Sequence, residues 1–163
     1  MNVNIPPLYN IEIHEYLKLY QLPYYKGVYS SNNIPNFTKN YIFICNLSND
    51  YEKGSHFITI CNVDSHLFIL DSLAMNIANS ELYLNVKEKF KNCKKLITID
   101  KPIQSMTSQG CGIYCIFFVL FFHAKIGKKL ASLNLLPFDG RILENNDSIC
   151  IANINTLVNH ANI

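Results

Sequence analysis

QSMTSQGCGIYCIFFVLFFHAK, residues 104–125, changes character at its centre. Polar residues and small turn formers lead to a Cys between Gly110 and Gly112, and from there the chain is almost continuously apolar. That order describes a loop delivering Cys111 to the N-terminal end of a buried helix, which stops near Gly127. At such an end the first backbone N–H groups lack intrahelical acceptors and the dipole is positive, so a thiolate is stabilised there. The flanking glycines allow a sharp turn and a close approach to a bound carbonyl. The apolar run is shorter than the about 20 residues that a bilayer requires. It ends in His123 and Lys125 and reads as a core helix, so no membrane association is expected.

Working outward from this helix, His56–Cys61 and Leu67–Asp71 are two strands around the short NVDSH connection, forming a hairpin that closes on Asp64 and Ser65. In that register residue 58 faces residue 71, and His56, Ile58, Ile69 and Asp71 share one face. Imidazole and carboxylate are then diagonal neighbours. A slip of one residue would put them on opposite faces.

The other elements follow from periodicity and punctuation. Asn10 caps a helix carrying Ile13, Tyr16, Leu17 and Tyr20 on one face, and Pro23 ends it. Residues 24–40, rich in Tyr, Ser, Asn and Pro, read as irregular surface chain. Tyr41–Leu47 is a buried strand, and SNDYEKG a turn. Ser80 caps a helix running to Phe90, and Leu96–Ile99 is a short strand before the Gln104 loop. A last helix, starting at Asp147 or Ser148, carries Cys150, Ile154, Leu157, Val158 and Ala161 on one face.

A chain of 163 residues with 49% hydrophobic residues can bury a full core as one domain, 1–163. The formal charge of +2 is too small to argue for nucleic acid by itself. Most basic residues fall in two groups, Lys87 to Lys95 and Lys125 to Lys129, and Arg141 is the only arginine, so any DNA contact would be Lys to phosphate. The N-terminus lacks the basic start, apolar run and cleavage site of a signal peptide. The six cysteines form no tight framework, which fits a reducing compartment.

Thiol-based acyl transfer needs a sulfur, a base to ionise it, a group to orient the base, and donors for the oxyanion. Cys111, His56, Asp71, and the Gln104 amide with the Cys111 backbone N–H could fill those roles in turn. Each residue also has a plainer reading. Cys111 could cap a buried helix, His56 could be a structural donor, Asp71 could open the turn DSLAMN, and Gln104 could bond loop backbone. Cys111, Cys115 and His123 lack the further convergent ligand that a structural zinc needs, so no metal is expected.

The order His, Asp, Gln, Cys resembles the adenovirus-type cysteine endopeptidases, the adenain family. Six residues, SMTSQG, separate Gln104 from Cys111, and CGIYC continues into an apolar helix, as in that family. KGVYSSNNIPNF (26–37) is similar to its Gly-x-Tyr and Pro-x-Phe loop, GSHF (54–57) to its Gly-x-His-Trp strand start with Phe57 in place of Trp, and LFILDSL (67–73) to its acid-bearing strand. LNLLPFDGRIL (133–143) is similar to the segment before its last helix. The family commonly has Glu where Asp71 stands, while the related ubiquitin-like-protein proteases use Asp.

The resemblance implies an α+β fold of the papain-like clan: a central mixed sheet flanked by helices, with the nucleophile at the N-terminus of a buried helix. It implies a monomeric thiol endopeptidase with a Cys111–His56–Asp71 triad and Gln104 as oxyanion donor, cutting viral capsid or core precursors at Gly-containing sites during virion maturation. It places the protein in the virion and the host-cell interior, in the nucleus. Cys93, eleven positions before Gln104, matches the family cysteine that can join an activating viral peptide through a disulfide. The lysines of 87–95 could touch activating DNA, or could be a solvated helix face. No metal or small-molecule cofactor is implied. Two other readings share the sequence: a protease removing ubiquitin-like modifiers from host proteins, and a binding module with a dead site.

Overall fold

The structure is a computed structural model that describes residues 6–47, 56–63, 66–75, 95–125, 136–138 and 140–161. Within these, a mixed five-stranded sheet has the order β1 (Tyr25–Ser30), β2 (Tyr41–Asn46), β3 (Phe57–Val63), β4 (His66–Leu70), β5 (Lys95–Thr98). The three central strands are antiparallel and each edge strand runs parallel to its neighbour. The described helices are α1 (Asn10–Lys18), α2 (Cys111–Lys125) and α3 (Asn146–Ala161), the last led in by a 3₁₀ turn, Leu143–Asn145. The expected helix from Ser80, the turn SNDYEKG, Cys93, and the lysines from 87 to 94 lie outside the described residues.

The sheet separates two apolar layers. One face, with Ile42, Ile44, Phe57, Cys61, Phe68 and Leu70, packs against α1, α2 and α3. The other, with Tyr41, Phe43, Ile58, Ile60 and Ile69, is covered in part by Ile34 and Phe37. All six residues of β2 are therefore buried, which is why its sequence is a continuous apolar run rather than an alternation. The helix α2 is buried on every side from Tyr114 to Phe122, as an all-round apolar helix must be.

Residues 24–40 depart from the expected irregular chain, because Tyr25–Ser30 is the edge strand β1. Its pattern is obscured by a register shift between Tyr25 and Val28, where Gly27 takes φ +123°. A side chain there would be strained, so this glycine makes the bulge. Helix α1 also begins differently: Tyr9 occupies the cap position, its backbone N–H donating to Glu12 at 2.7 Å. The Asn10 side chain instead accepts from Asn46 on β2 at 3.0 Å. The hairpin register is the expected one. Thr59 faces Leu70 and Val63 faces His66, which extrapolates to 58 opposite 71.

Candidate active site

Cys111 is the first residue of α2, and Gly110 precedes it as the cap, its carbonyl accepting the Tyr114 N–H at 3.1 Å. Gly27 is the glycine with positive φ among the described residues, so neither Gly110 nor Gly112 takes a left-handed backbone. Gly112 serves packing. A Cβ there would lie 3.0 Å from Ile13 Cδ1 and 3.2 Å from Leu8 Cβ, so the missing side chain lets α1 close against the head of α2. That contact fixes where the sulfur stands. Burial raises the Cys111 thiol pKa, but hydrogen bonds from His56 and from the Phe57 and Gly112 backbone outweigh it, and the net value falls below that of an ordinary thiol.

His56 immediately precedes β3 and Asp71 immediately follows β4, so the hairpin ends bring them side by side. His56 Nε2 is 2.6 Å from Asp71 Oδ1, with both side chains buried. Ile58 and Ile69, expected on the same face, point into the layer away from α2, whereas the imidazole also hydrogen-bonds Cys111 at the head of α2. The pair has left the pleat at the strand ends. With Nε2 on the acid, Nδ1 is the ring nitrogen left for the sulfur. Burial lowers the His56 pKa, but the hydrogen bonds and charges of Asp71 and Cys111 more than reverse this and raise it to about 9. Sulfur and imidazole thus favour a thiolate–imidazolium pair.

Asp71 is held by more than the histidine. Its Oδ1 also accepts the Leu73 N–H at 2.9 Å and its Oδ2 the Met75 N–H at 3.0 Å, in a turn where Ala74 takes φ +47°. A buried carboxylate with three donors cannot swing away from the ring.

Gln104 is 1% exposed and spans the two halves of the site. Its Oε1 accepts the Ser72 hydroxyl at 2.5 Å and its Nε2 donates to the Ser108 carbonyl at 2.9 Å. Ser72 follows Asp71 in the chain, and its own carbonyl accepts the N–H groups of Ile103 and Gln104 at 2.9 and 3.0 Å. The amide is therefore tied to the acid-bearing turn on one side and to the loop before Cys111 on the other. One of its two N–H donors is consumed by Ser108.

Five residues to which sequence reasoning gave no part in the site hold this loop. Ser72, Ser108, Tyr114, Asn146 and Asp147, all buried but the partly exposed Ser108, form a polar network around Gln104, with Ser108 Oγ 2.7 Å from Asp147 Oδ2 and Tyr114 Oη 2.9 Å from its Oδ1. Nothing local in the sequence pairs position 108 with position 147. The ring of Phe57 belongs to the main core, and its backbone hydrogen-bonds the sulfur. Among the described residues no group of three His, Cys, Asp or Glu side chains could hold a metal ion, and no helix is long and apolar enough to cross a membrane.

No family model matches this sequence, and no curated protein sequence does. The structure is similar to one described as SUMO protease Ulp1 with the catalytic cysteine oxidized to a sulfinic acid. The two share 16% identity at a TM-score of 0.51, over 93% of this chain and 79% of that one. A second, described as the same protease with the cysteine oxidized to a sulfenic acid, gives 18% identity and a TM-score of 0.36 over 74% of this chain and 54% of the other. The first likeness establishes that this mixed α+β architecture is the fold of the Ulp1-like cysteine proteases.

Proposed function

We propose that the protein is a thiol peptidase that cuts protein chains through Cys111, His56, Asp71 and Gln104. The observation that carries this is the Cys111–His56–Asp71 arrangement at the head of α2, in which the imidazole and acid are buried and the sulfur partly so, with His56 Nε2 at 2.6 Å from the acid and the thiol pKa held below its ordinary value. In the reaction the Cys111 thiolate attacks the peptide carbonyl carbon, and the carbonyl electron pair becomes an oxyanion. The second Gln104 Nε2–H and the Cys111 backbone N–H, which at the first helical position has no intrahelical acceptor, are its donors. Imidazolium then gives its proton to the departing amine as the C–N bond breaks. Neutral His56 next takes a proton from water as its oxygen attacks the thioester carbonyl. Collapse of that intermediate breaks the C–S bond and expels the Cys111 thiolate, with the proton kept on His56 so that the starting pair is restored. Asp71 keeps the ring oriented throughout.

For the substrate, the sequence resemblance to the adenain family supports precursor proteins cut at Gly-containing sites during virion maturation, inside the host cell or the virion. In that reading Cys93 takes an activating peptide through a disulfide, and the lysines of 87–95 contact DNA. A second reading, removal of a ubiquitin-like modifier, is favoured by the fold shared with SUMO protease Ulp1 and by Asp71 as the acid. Wild type and Cys111→Ala should be treated with a Gly-terminated peptide electrophile, then assayed on precursor peptides and on ubiquitin-like fusions. Labelling at Cys111 and cleavage of either substrate support the peptidase reading, and the substrate cleaved faster chooses between the two. Cleavage retained by Cys111→Ala removes Cys111 as nucleophile. No labelling and no cleavage, with candidate peptide and DNA present, would leave a binding module.

A further inference from the structure

We propose that Asp147, at the head of α3, is a positioning residue that sets the Gln104 amide for the oxyanion by way of Ser108. This rests on the peptidase reading above and brings the last helix into the site. Asp147 is 8% exposed and both its oxygens are taken: Oδ2 accepts the Ser108 hydroxyl at 2.7 Å and Oδ1 the Tyr114 hydroxyl at 2.9 Å. A carboxylate can only accept, so it forces both hydroxyls to be donors. Ser108 Oγ is then left with lone pairs alone, and it accepts the N–H of Gly110, the residue before the nucleophile, at 3.1 Å. The carbonyl of the same Ser108 takes Gln104 Nε2 at 2.9 Å. One buried acid thus fixes one hydroxyl, and that residue fixes both the amide donor and the approach to Cys111.

The neighbouring bonds point the same way. Asn146 Nδ2 donates to the Ile103 carbonyl at 2.8 Å, so the residue before Gln104 is tied to the same helix end. Ser72 clamps the amide from the opposite side. A loop of small polar residues has many conformers of its own, and oxyanion donors help only if they are in place before the charge develops. The acid is also well placed in the first turn of α3, where negative charge is favoured. Among the described residues neither Asp147 nor Ser108 hydrogen-bonds His56, Asp71 or Cys111, so their effect should reach the oxyanion and leave the thiolate pair alone.

The test uses the full chain and the cleaved substrate identified above. Asp147→Ala should lower kcat about tenfold with KM changed less than twofold, because donor placement matters in the transition state. The rate and pH dependence of Cys111 alkylation by iodoacetamide should stay as in wild type. In a Gln104→Ala background the same change should cost less than twofold, and Asp147→Asn, which keeps one acceptor, should fall between. If Asp147→Ala does not fold, Ser108→Ala keeps the acid and its Tyr114 bond and should show the same pattern more weakly. An unchanged kcat, equal losses in kcat and alkylation, or a full tenfold loss in the Gln104→Ala background would each overturn the proposal. A wild type that neither cleaves nor labels at Cys111 removes the peptidase reading itself, and this inference with it.

Discussion

Cys111 and Cys115 lie one turn apart on the same helix, and their thiols are driven in opposite directions. Burial pushes both up. At Cys115, 1% exposed, little opposes it, and the value lies well above that of a free thiol. At Cys111 the hydrogen bonds from His56 and two backbone groups reverse the sign. The same contrast separates the imidazoles: His56, between an acid and a sulfur, is raised to about 9, while burial lowers His123 near the helix tail, whose Nε2 is buried without a partner among the described residues. Reactivity in this molecule is set by which donors and charges reach a group, since all four groups are at least partly desolvated.

The comparison breaks first at the sulfurs. Cys111→Ala should reduce cleavage to background in progress curves, whereas Cys115→Ala should keep kcat within a few-fold and lose about 1 kcal/mol of stability in urea titrations. Next comes the acid. Asp71→Asn should lower kcat/KM roughly 10²-fold, the size expected for a misoriented general base. Wild-type kcat/KM should rise with pH as Cys111 ionises and fall near pH 9 as His56 loses its proton, and the substitution should move that alkaline limb to lower pH.

Labelling sharpens the contrast across the four other described thiols. Burial pushes Cys45 up to about 12 and raises Cys61, Cys115 and Cys150 as well. At pH 7, iodoacetamide with peptide mass analysis should therefore modify Cys111 at least about tenfold faster than these four. The smallest effect is on stability. The His56 pKa is raised on folding, so its contribution is complete below pH 6.5 and is lost as pH rises through about 9. Urea midpoints of wild type should fall across that window relative to His56→Gln, and a flat difference would mean that the imidazolium is not held by the fold.

Much of this site was legible in the chain because each part rests on short-range rules. The Gly110–Cys111–Gly112 junction followed by an unbroken apolar run marked the helix head, and the two-residue hairpin connection set the register that brings His56 to Asp71. β1 was hidden because its alternation is interrupted at Gly27, and the Asn10 cap was misassigned because an Asn at a helix start also serves as a partner for a distant side chain. Gly112 also serves packing, which the sequence did not show because the contact depends on α1.

By itself the sequence determined the helix whose head carries Cys111, the hairpin with imidazole and carboxylate at its ends, and the polar loop leading to the sulfur, because period and turn chemistry act over a few residues. Only the tertiary structure decided that Asp147 fixes Ser108, that Ser72 and Ser108 hold Gln104 between them, and that Cys111 is lowered while Cys115 is raised. Those outcomes depend on hydrogen bonds and charges between residues far apart in the chain, and such partners exist only once the fold has removed water from around them.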